Sequence, residues 1–410
     1  MKKLILTVLL CTAVFMGVFG ASTVKVWFAG TQKQLMDLVD SKLIPEFEKN
    51  NPDIKIKAEF IPWGELSTKL TTSFAGGIGP DIFMHGQAAI AGFADKGIIM
   101  PIDSILSKIE DPQDFGATLN AGLFKGKKYY IPVFGSGRLL AYRKDFFVQA
   151  GLDPQDAPMT WEQLISYSKK LTSVENNRYK CAGFDLPVSG VDLQQVWSGF
   201  LYQNGGDLFD NEMNPVFNST QGVQALQFYV DLIRKEKVAP DYGTSKTGNL
   251  HSLASGSAAM GMLVLEEIND IKTYAPQVFE QIELSLSTAR LNRASFYSFA
   301  GFMVSSKTKD LQSTTKVLSY LTSKNSIVAI NEVQSTLPPR QSAAESEFVS
   351  SNPVLTMFVK GAKYAFGNPN VPFWVQARDI LIKYLERAVK GNMDCKSALD
   401  QAAQEIMKLK

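Results

Sequence analysis

The chain has 410 residues, of which 45% are hydrophobic and 20% are charged, with 42 basic and 40 acidic side chains. This length exceeds what one ordinary core accommodates, and the apolar fraction is too high for a disordered chain, so two globular lobes are predicted. The near balance of charge leaves no basic field, and a nucleic-acid partner is therefore not expected.

The N-terminus has the layout of a secretory signal peptide, which we predict at residues 1–20. Two lysines precede an uncharged apolar run from Leu4 to Phe19, and the small residue Gly20 marks the expected cleavage point. About 16 apolar residues fall short of the roughly 20 that a membrane-spanning helix needs. The mature chain is therefore expected in the periplasm or another extracytoplasmic space.

Strands and helices alternate over the first hundred residues. Short β-prone runs at 24–28 (VKVWF), 54–61 (IKIKAEFI) and 81–84 (DIFM) are each followed by apolar residues at helical spacing. This order is typical of a mostly parallel sheet with helices on both faces, so the predicted fold class is α/β.

Three segments are predicted to pass between the lobes. Residues 126–143 contain two β-prone runs without a helix between them, 298–305 is a second β-like run, and 337–340 (LPPR) is a rigid extended break. Three crossings imply two discontinuous lobes that move about a few hinge residues. The predicted N-terminal lobe is 21–135 plus 301–337, and the predicted C-terminal lobe is 136–300 plus 338–410.

Motifs for catalysis and for metal binding are missing from the sequence. His85 and His251 are the only histidines, and the chain lacks the common hydrolase, metalloprotease and nucleotide-binding patterns. We predict no catalytic residue, no metal and no cofactor. A glycosidase carboxylate pair is the alternative, and it could come from Asp192, Asp207, Asp210, Glu266 and Glu267.

The two cysteines after the predicted leader are Cys181 and Cys395, far apart in sequence. A disulfide between them is chemically possible outside the cytoplasm. Two free buried thiols are the favoured interpretation.

Several loop-like stretches combine aromatic rings with short polar side chains, the two devices that bind sugars and polyols. The ring packs on apolar C–H patches, and the polar group bonds hydroxyls. Core packing is the alternative for each residue, since tryptophan is highly buried in most folds. The candidates drawn from these stretches and from strand ends are Gln32, Trp63, His85, Gln87, Arg138, Gln194, Trp197, Gln203, Asn204, Glu266, Tyr297, Arg340 and Trp374.

Six motifs in order resemble those of the extracellular solute-binding proteins of the maltose-binding type, which serve ABC importers. The motifs are GIGPDIF, FKGKKYYIPV, LLAYRKDFFVQAGLDPQDAPMTWEQL, QNGGDLFD, SGSAAMGM and TLPPR, and the resemblance covers essentially the whole mature chain. Arg143 stands where the family usually has Asn. The resemblance implies a periplasmic-binding-protein-like fold with two α/β lobes, a hinge of two or three crossing segments, and a ligand cleft between the lobes.

The resemblance also implies roles for single positions. Ser136 matches a crossover position that often contacts ligand, and Trp374 matches an aromatic residue near the start of the penultimate helix. Glu266 matches a site where relatives place an aromatic residue, so an acid there implies more hydroxyl bonding and less ring stacking.

The expected function is capture of a carbohydrate or polyol and its delivery to the permease of an ABC transporter, by a monomer that closes about its hinge. Arg138 and Arg340 leave open a phosphorylated polyol such as glycerol-3-phosphate as the ligand. A ligand-sensing module would share the fold, and an exported glycoside hydrolase is the least favoured alternative.

Overall fold

A computed structural model describes residues 21–244 and 250–410, so the predicted signal peptide lies outside the described residues. The strands are β1 (Ser22–Ala29), β2 (Ile54–Ile61), β3 (Ile82–Gly86), β4 (Leu123–Phe124), β5 (Lys127–Lys128), β6 (Ile131–Arg143), β7 (Ser173–Glu175), β8 (Arg178–Cys181), β9 (Met260–Val264), β10 (Ile282–Ser285), β11 (Ser295–Val304) and β12 (Ala365–Phe366).

Helices connect these strands and cover both sides of the main sheet. The α-helices are α1 (Lys33–Leu38), α2 (Ile44–Asn50), α3 (Trp63–Ala75), α4 (Ile90–Asp95), α5 (Lys144–Gln149), α6 (Trp161–Leu171), α7 (Gly190–Gln203), α8 (Thr220–Arg234), α9 (Ser252–Ser255), α10 (Leu265–Tyr274), α11 (Pro276–Phe279), α12 (Leu311–Leu321), α13 (Lys324–Gln334), α14 (Gln341–Ala344), α15 (Glu347–Ser350), α16 (Pro353–Gly361), α17 (Trp374–Val389) and α18 (Cys395–Met407). A π-helical turn at Val39–Leu43 joins α1 to α2, and 3-10 turns lie at Gln87–Ala89, Leu106–Lys108, Pro112–Gly122 and Ala362–Tyr364.

The main sheet has the order β10-β6-β11-β3-β1-β2, with β9 also paired to β6 and β12 to β11. Strand β1 runs parallel to both β2 and β3, because each of these strands is followed by a helix that returns the chain. The carboxyl ends of the three strands therefore meet at one edge. This is the edge at which open α/β sheets place their ligands.

Two long antiparallel strands, β6 and β11, carry the sheet from one half of the molecule to the other. The first half of β6 pairs with β11, and its second half pairs with β9 and β10. Strand β11 pairs with β3 on its other side. Strand β6 lies within the predicted segment 126–143 and β11 overlaps the predicted segment 298–305, and the α/β fold class is confirmed.

Glycines on β6 leave room for two aromatic rings of β11. A Cβ atom on Gly135 would stand 2.4 Å from the ring of Phe299, and one on Gly137 would stand 2.5 Å from the ring of Tyr297. Because each glycine is directly opposite its ring in the register, the rings lie across bare backbone. The hydroxyl of Tyr297 donates to the carbonyl of Phe358 in α16, which closes this face of the strand pair.

The described residues form two hydrophobic cores. One includes β1, β2, β3, β11 and α10, and the other includes α7, α8, α17 and α18. Val354, Leu355 and Phe358 belong to the first core, whereas Val371 and Trp374 belong to the second. Along this part of the chain the change of core thus falls after α16, and the lobe boundary at residue 338 stays a prediction.

Arg340, in the segment that follows α13, is only 1% exposed. Its guanidinium donates to the carbonyls of Thr322, Asp111 and Glu110, and it pairs with Asp114 at 3.2 Å. All of these partners lie beside the first core, so Arg340 ties the segment after α13 to that half of the molecule.

Both cysteines of the described chain, Cys181 and Cys395, are free and buried, as predicted. Burial raises the pKa of each thiol to about 11. In the described ranges none of the helices is both long enough and apolar enough to cross a membrane.

Two helical glycines differ sharply in the space around them and give a matched test of packing. A Cβ atom on Gly199, buried in α7, would meet nothing within 4 Å, whereas one on Gly222 in α8 would stand 1.7 Å from the carbonyl oxygen of Phe217. We expect Gly199→Ala to raise the free energy of unfolding by about 0.5 to 1 kcal/mol, because alanine restricts the unfolded chain and fills empty space.

Gly222→Ala is the control, and it should lower the free energy of unfolding because the backbone around Phe217 must move. Urea titration of both variants checks the pair. Equal effects of the two substitutions would contradict this account of the packing around α7 and α8.

Candidate ligand-binding cleft

One face of the two crossing strands is open. All residues of β6 and β11 are buried except Phe134, Ser136 and Ser298, which are partly exposed. Residues two apart on a strand share a face, and Ser298 pairs directly with Ser136, so all three side chains lie on the same side. This side is opposite the one that Tyr297 and Phe299 close, and we take it as the floor of the candidate cleft.

Trp63 provides an aromatic wall at one end of this floor. It is the first residue of α3, immediately after β2, and it is 42% exposed. Its ring meets that of Phe134 edge to face, with 6.4 Å between centroids. A large ring that stays this exposed beside another aromatic residue offers a free surface for an apolar ligand patch.

Glu266 stands above the middle of the floor. It lies in the first turn of α10 and is exposed, and the Ser136 hydroxyl donates to its carboxylate at 2.6 Å. The N-terminal turn of a helix favours a negative charge. The structure therefore brings Ser136 and Glu266 together, and the remaining carboxylate oxygen can accept a hydrogen bond from a ligand.

Arg138 follows on the same face of β6, but it is only 4% exposed. Its guanidinium donates to Gln195 at 2.9 Å, to the carbonyl of Met262 at 3.0 Å, and to the carboxylate of Asp192. The Asp192 side chain is 51% exposed. Arg138 is thus a positioning residue that holds a carboxylate and an amide at the cleft.

Asp192 was not among the predicted ligand contacts, and neither was Gln195. Both project from the first turns of α7, three residues apart and therefore on one face of the helix. The signal in the sequence was the run DLQQ at the start of a helix, directly before Trp197. Only the fold shows that this end of α7 meets β6.

A cavity of about 240 Å³ lies beside Arg138 and Asp192. Asp185 in its wall accepts hydrogen bonds from His251 at 2.9 Å, from Ser252 at 2.6 Å and from Thr244. Burial opposes the charge of Asp185, but the bonds from these three side chains hold the pKa of the carboxyl below its usual range. The wall of the cavity is therefore polar and fixed.

Three predicted residues lie at or just after the carboxyl ends of the strands that form the sheet edge. Gln32 precedes α1 and is exposed. Gln87 follows β3 and is buried, with its amide donating to the carbonyl of Asn368 at 3.3 Å. His85 is partly buried between the Ser67 hydroxyl, which bonds Nε2 at 3.0 Å, and the ring of Phe93.

Other predicted contacts are buried inside the second core instead of facing the cleft. Trp197 is fully buried against Phe217, and Gln194 donates to Ser198 within α7. Trp374 is also buried, and its indole N–H donates to Asn368. Their side chains do not reach the floor that β6 and β11 form.

Gln203 and Asn204 are occupied by partners within the protein. The Gln203 side chain accepts from Trp161 and Thr288 and donates to the carbonyl of Ala294. The Asn204 side chain donates to Gln221 and Gln224 and accepts from Arg290. With Tyr297 and Arg340, described above, they form part of the internal scaffold.

The chain matches a family of known proteins. The family model of the bacterial extracellular solute-binding proteins matches residues 30–326, and the chain belongs to this family. The description of this family is that of binding proteins.

Two relatives and one solved structure illustrate the likeness. A binding protein of Brucella abortus (strain 2308) is 22% identical over 87% of this chain and 86% of its own. The mannitol-binding protein of Pseudomonas aeruginosa is 28% identical over 53% of this chain and 50% of its own. The structure of the sugar-binding protein MalE from Xanthomonas citri has a TM-score of 0.82 at 22% identity, over 94% of this chain and 96% of that one.

His85 makes the edge of the cleft sensitive to acid. Burial lowers its pKa to about 4, although its bond to the Gly86 carbonyl opposes this shift. Between pH 6.5 and pH 4 the unfolded chain binds a proton at this residue that the folded chain does not, so stability falls as the pH falls. We expect a loss of about 2 kcal/mol between pH 7 and pH 5 from this residue.

Urea unfolding of the protein and of His85→Gln at both pH values measures this effect. Glutamine can still bond Ser67 but does not titrate, so the variant should lose less stability on acidification. An identical loss in both proteins would contradict the assignment of a neutral, partly buried imidazole.

Proposed function

We propose that this protein captures a carbohydrate or polyol outside the cytoplasmic membrane and delivers it to the permease of an ABC transporter. The observation that carries the proposal is the floor of the cleft. An exposed ring, Trp63, lies at one end, and two carboxylates, Asp192 and Glu266, stand along the rest. An aromatic ring packs against the C–H patches of such a ligand, and a carboxylate accepts hydrogen bonds from its hydroxyl groups.

Hinge closure is the mechanism we propose. Trp63 follows β2, beside the first core, whereas Asp192 belongs to α7 of the second core. A ligand that touches both residues makes more contacts when the halves approach, and this difference in affinity shifts the equilibrium to the closed form. The permease then recognises the closed form of a monomeric binding protein.

The proposed location is the periplasm or another extracytoplasmic space, reached through the signal peptide at residues 1–20. The family description as extracellular supports this location. Delivery to an ABC transporter is supported by the six motifs that the chain shares with binding proteins of such importers.

A phosphorylated polyol finds little support in the arginines that suggested it. The guanidinium of Arg340 donates hydrogen bonds to three carbonyls and to Asp114, away from the cleft. The guanidinium of Arg138 donates hydrogen bonds to Asp192, to Gln195 and to a backbone carbonyl. Each guanidinium is already paired with a carboxylate, Asp114 or Asp192, so neither offers an unpaired positive charge to a phosphate.

A thermal-shift screen tests the proposed function, because a ligand that binds only the folded chain must raise its melting temperature. Maltose, mannobiose, tagatose and mannitol are suitable probes. We expect at least one of them to stabilise the protein by several degrees. If none of these compounds or related sugars and polyols raises the melting temperature, the proposal fails.

Trp63→Ala tests the role of the cleft floor in the same screen. Since Trp63 is 42% exposed, the unliganded variant should melt close to the parent protein, but its affinity for the ligand should fall about tenfold to a hundredfold. Tyr274→Ala, a change at a 72% exposed ring at the other end of α10, is the control and should bind as the parent does. Equal affinity of the Trp63 variant and the parent would contradict the placement of the site.

A further inference from the structure

Charge along the cleft floor is unbalanced among the residues that the structure describes. In the described ranges Ser136 is the hydrogen-bond partner of Glu266, and no cation of those ranges pairs with its carboxylate. The charge of Asp192, in contrast, is matched by Arg138. Glu266 therefore contributes a net negative charge to a site that must also hold the ligand.

The two carboxylates stand side by side. Ser136 and Arg138 are two residues apart on one face of β6, about 7 Å along the strand. Ser136 bonds Glu266 and Arg138 bonds Asp192, so the two acids are fixed above neighbouring positions of the floor. A ligand on this floor meets carboxylate oxygens, which accept hydrogen bonds but cannot donate them.

The charge of Arg138 is already matched by one anion, Asp192. Its Nε and both terminal nitrogens already donate, to Gln195, to the carbonyl of Met262 and to Asp192. Its burial excludes a simple rotation toward the cleft. An incoming phosphate or carboxylate would face acceptors and like charge.

We propose that Glu266 is a specificity-determining residue that excludes anionic solutes from the cleft and restricts it to hydroxylated ligands without phosphate or carboxylate groups. This inference rests on the proposed function and narrows its ligand class. Two unit charges about 5 Å apart near a protein surface repel strongly enough to lower affinity about a hundredfold. Solvent at the exposed carboxylate reduces the effect to about tenfold.

Matched pairs of probes measure this exclusion. Each pair has a neutral compound and its phosphorylated form: mannitol with mannitol 1-phosphate, glucose with glucose 6-phosphate, and glycerol with glycerol 3-phosphate. Isothermal titration of the full chain gives the affinity ratio within a pair. We expect the neutral member to bind and the phosphorylated member to bind at least about tenfold more weakly.

Glu266→Gln removes the charge and keeps an oxygen that accepts from Ser136. We expect this variant to raise the affinity for the phosphorylated probe, relative to the neutral one, about tenfold. Glu280→Gln is the control, since Glu280 is an exposed acid just after α11, beyond the other end of α10. It removes the same charge beyond the far end of α10, which lies about 12 Å from Glu266 along the helix, and should leave the ratio unchanged.

A second measurement needs no variant. Raising the salt from about 20 mM to about 500 mM screens exposed charges, so the relative affinity of the parent protein for the phosphorylated probe should rise.

The melting temperature of unliganded Glu266→Gln shows that the variant is folded.

The outcomes separate the two proposals. If the parent protein binds a phosphorylated probe as tightly as its neutral partner, or if Glu266→Gln leaves the ratio unchanged, exclusion by Glu266 is wrong while the solute-binding function stands. If neither member of any pair binds and the wider screen of sugars and polyols also shows no stabilisation, the proposed function and the exclusion fail together.

Discussion

The pairing of β6 with β11 is the constraint on which the rest of the structure depends. Because strand side chains alternate, the same backbone pairing fixes both a closed face and an open face. Tyr297 and Phe299 lie over glycine backbone on the closed face, which leaves no room for a Cβ atom there. Phe134 and Ser136 are thereby directed to the other face, where they form the floor of the cleft.

Arg138 links this strand pair to the helices of the second core. A buried guanidinium is tolerated only when its donors are satisfied, and here they bond to α7 through Gln195 and Asp192 and to β9 through Met262. The requirement to satisfy one buried cation therefore fixes the position of two cleft side chains. Ligand recognition by these side chains depends on a residue that does not itself face the ligand space.

Elements with a strong period were predictable from the sequence, and the cleft was predictable in part. Strand β2 occupies 54–61, as its alternation indicated, and Trp63, Ser136 and Glu266 do lie at the cleft floor. Arg340 could not be assigned this way, because its carboxylate partner Asp114 is 226 residues away in the chain. An arginine that binds a ligand and one that satisfies distant carbonyls have the same local sequence.

The assignment of chain segments to the two cores also indicates where the molecule bends. Tyr297 anchors α16 beneath the crossing strands through Phe358, and Arg340 anchors the chain before it, so everything up to Gly361 is attached to the first core. The third connection to the second core is then the segment 362–373, which includes Asn368 with its contact to Gln87. We infer that bending is concentrated in this segment and in the middle of β6 and β11. Closure would then move α7, with Asp192, toward Trp63.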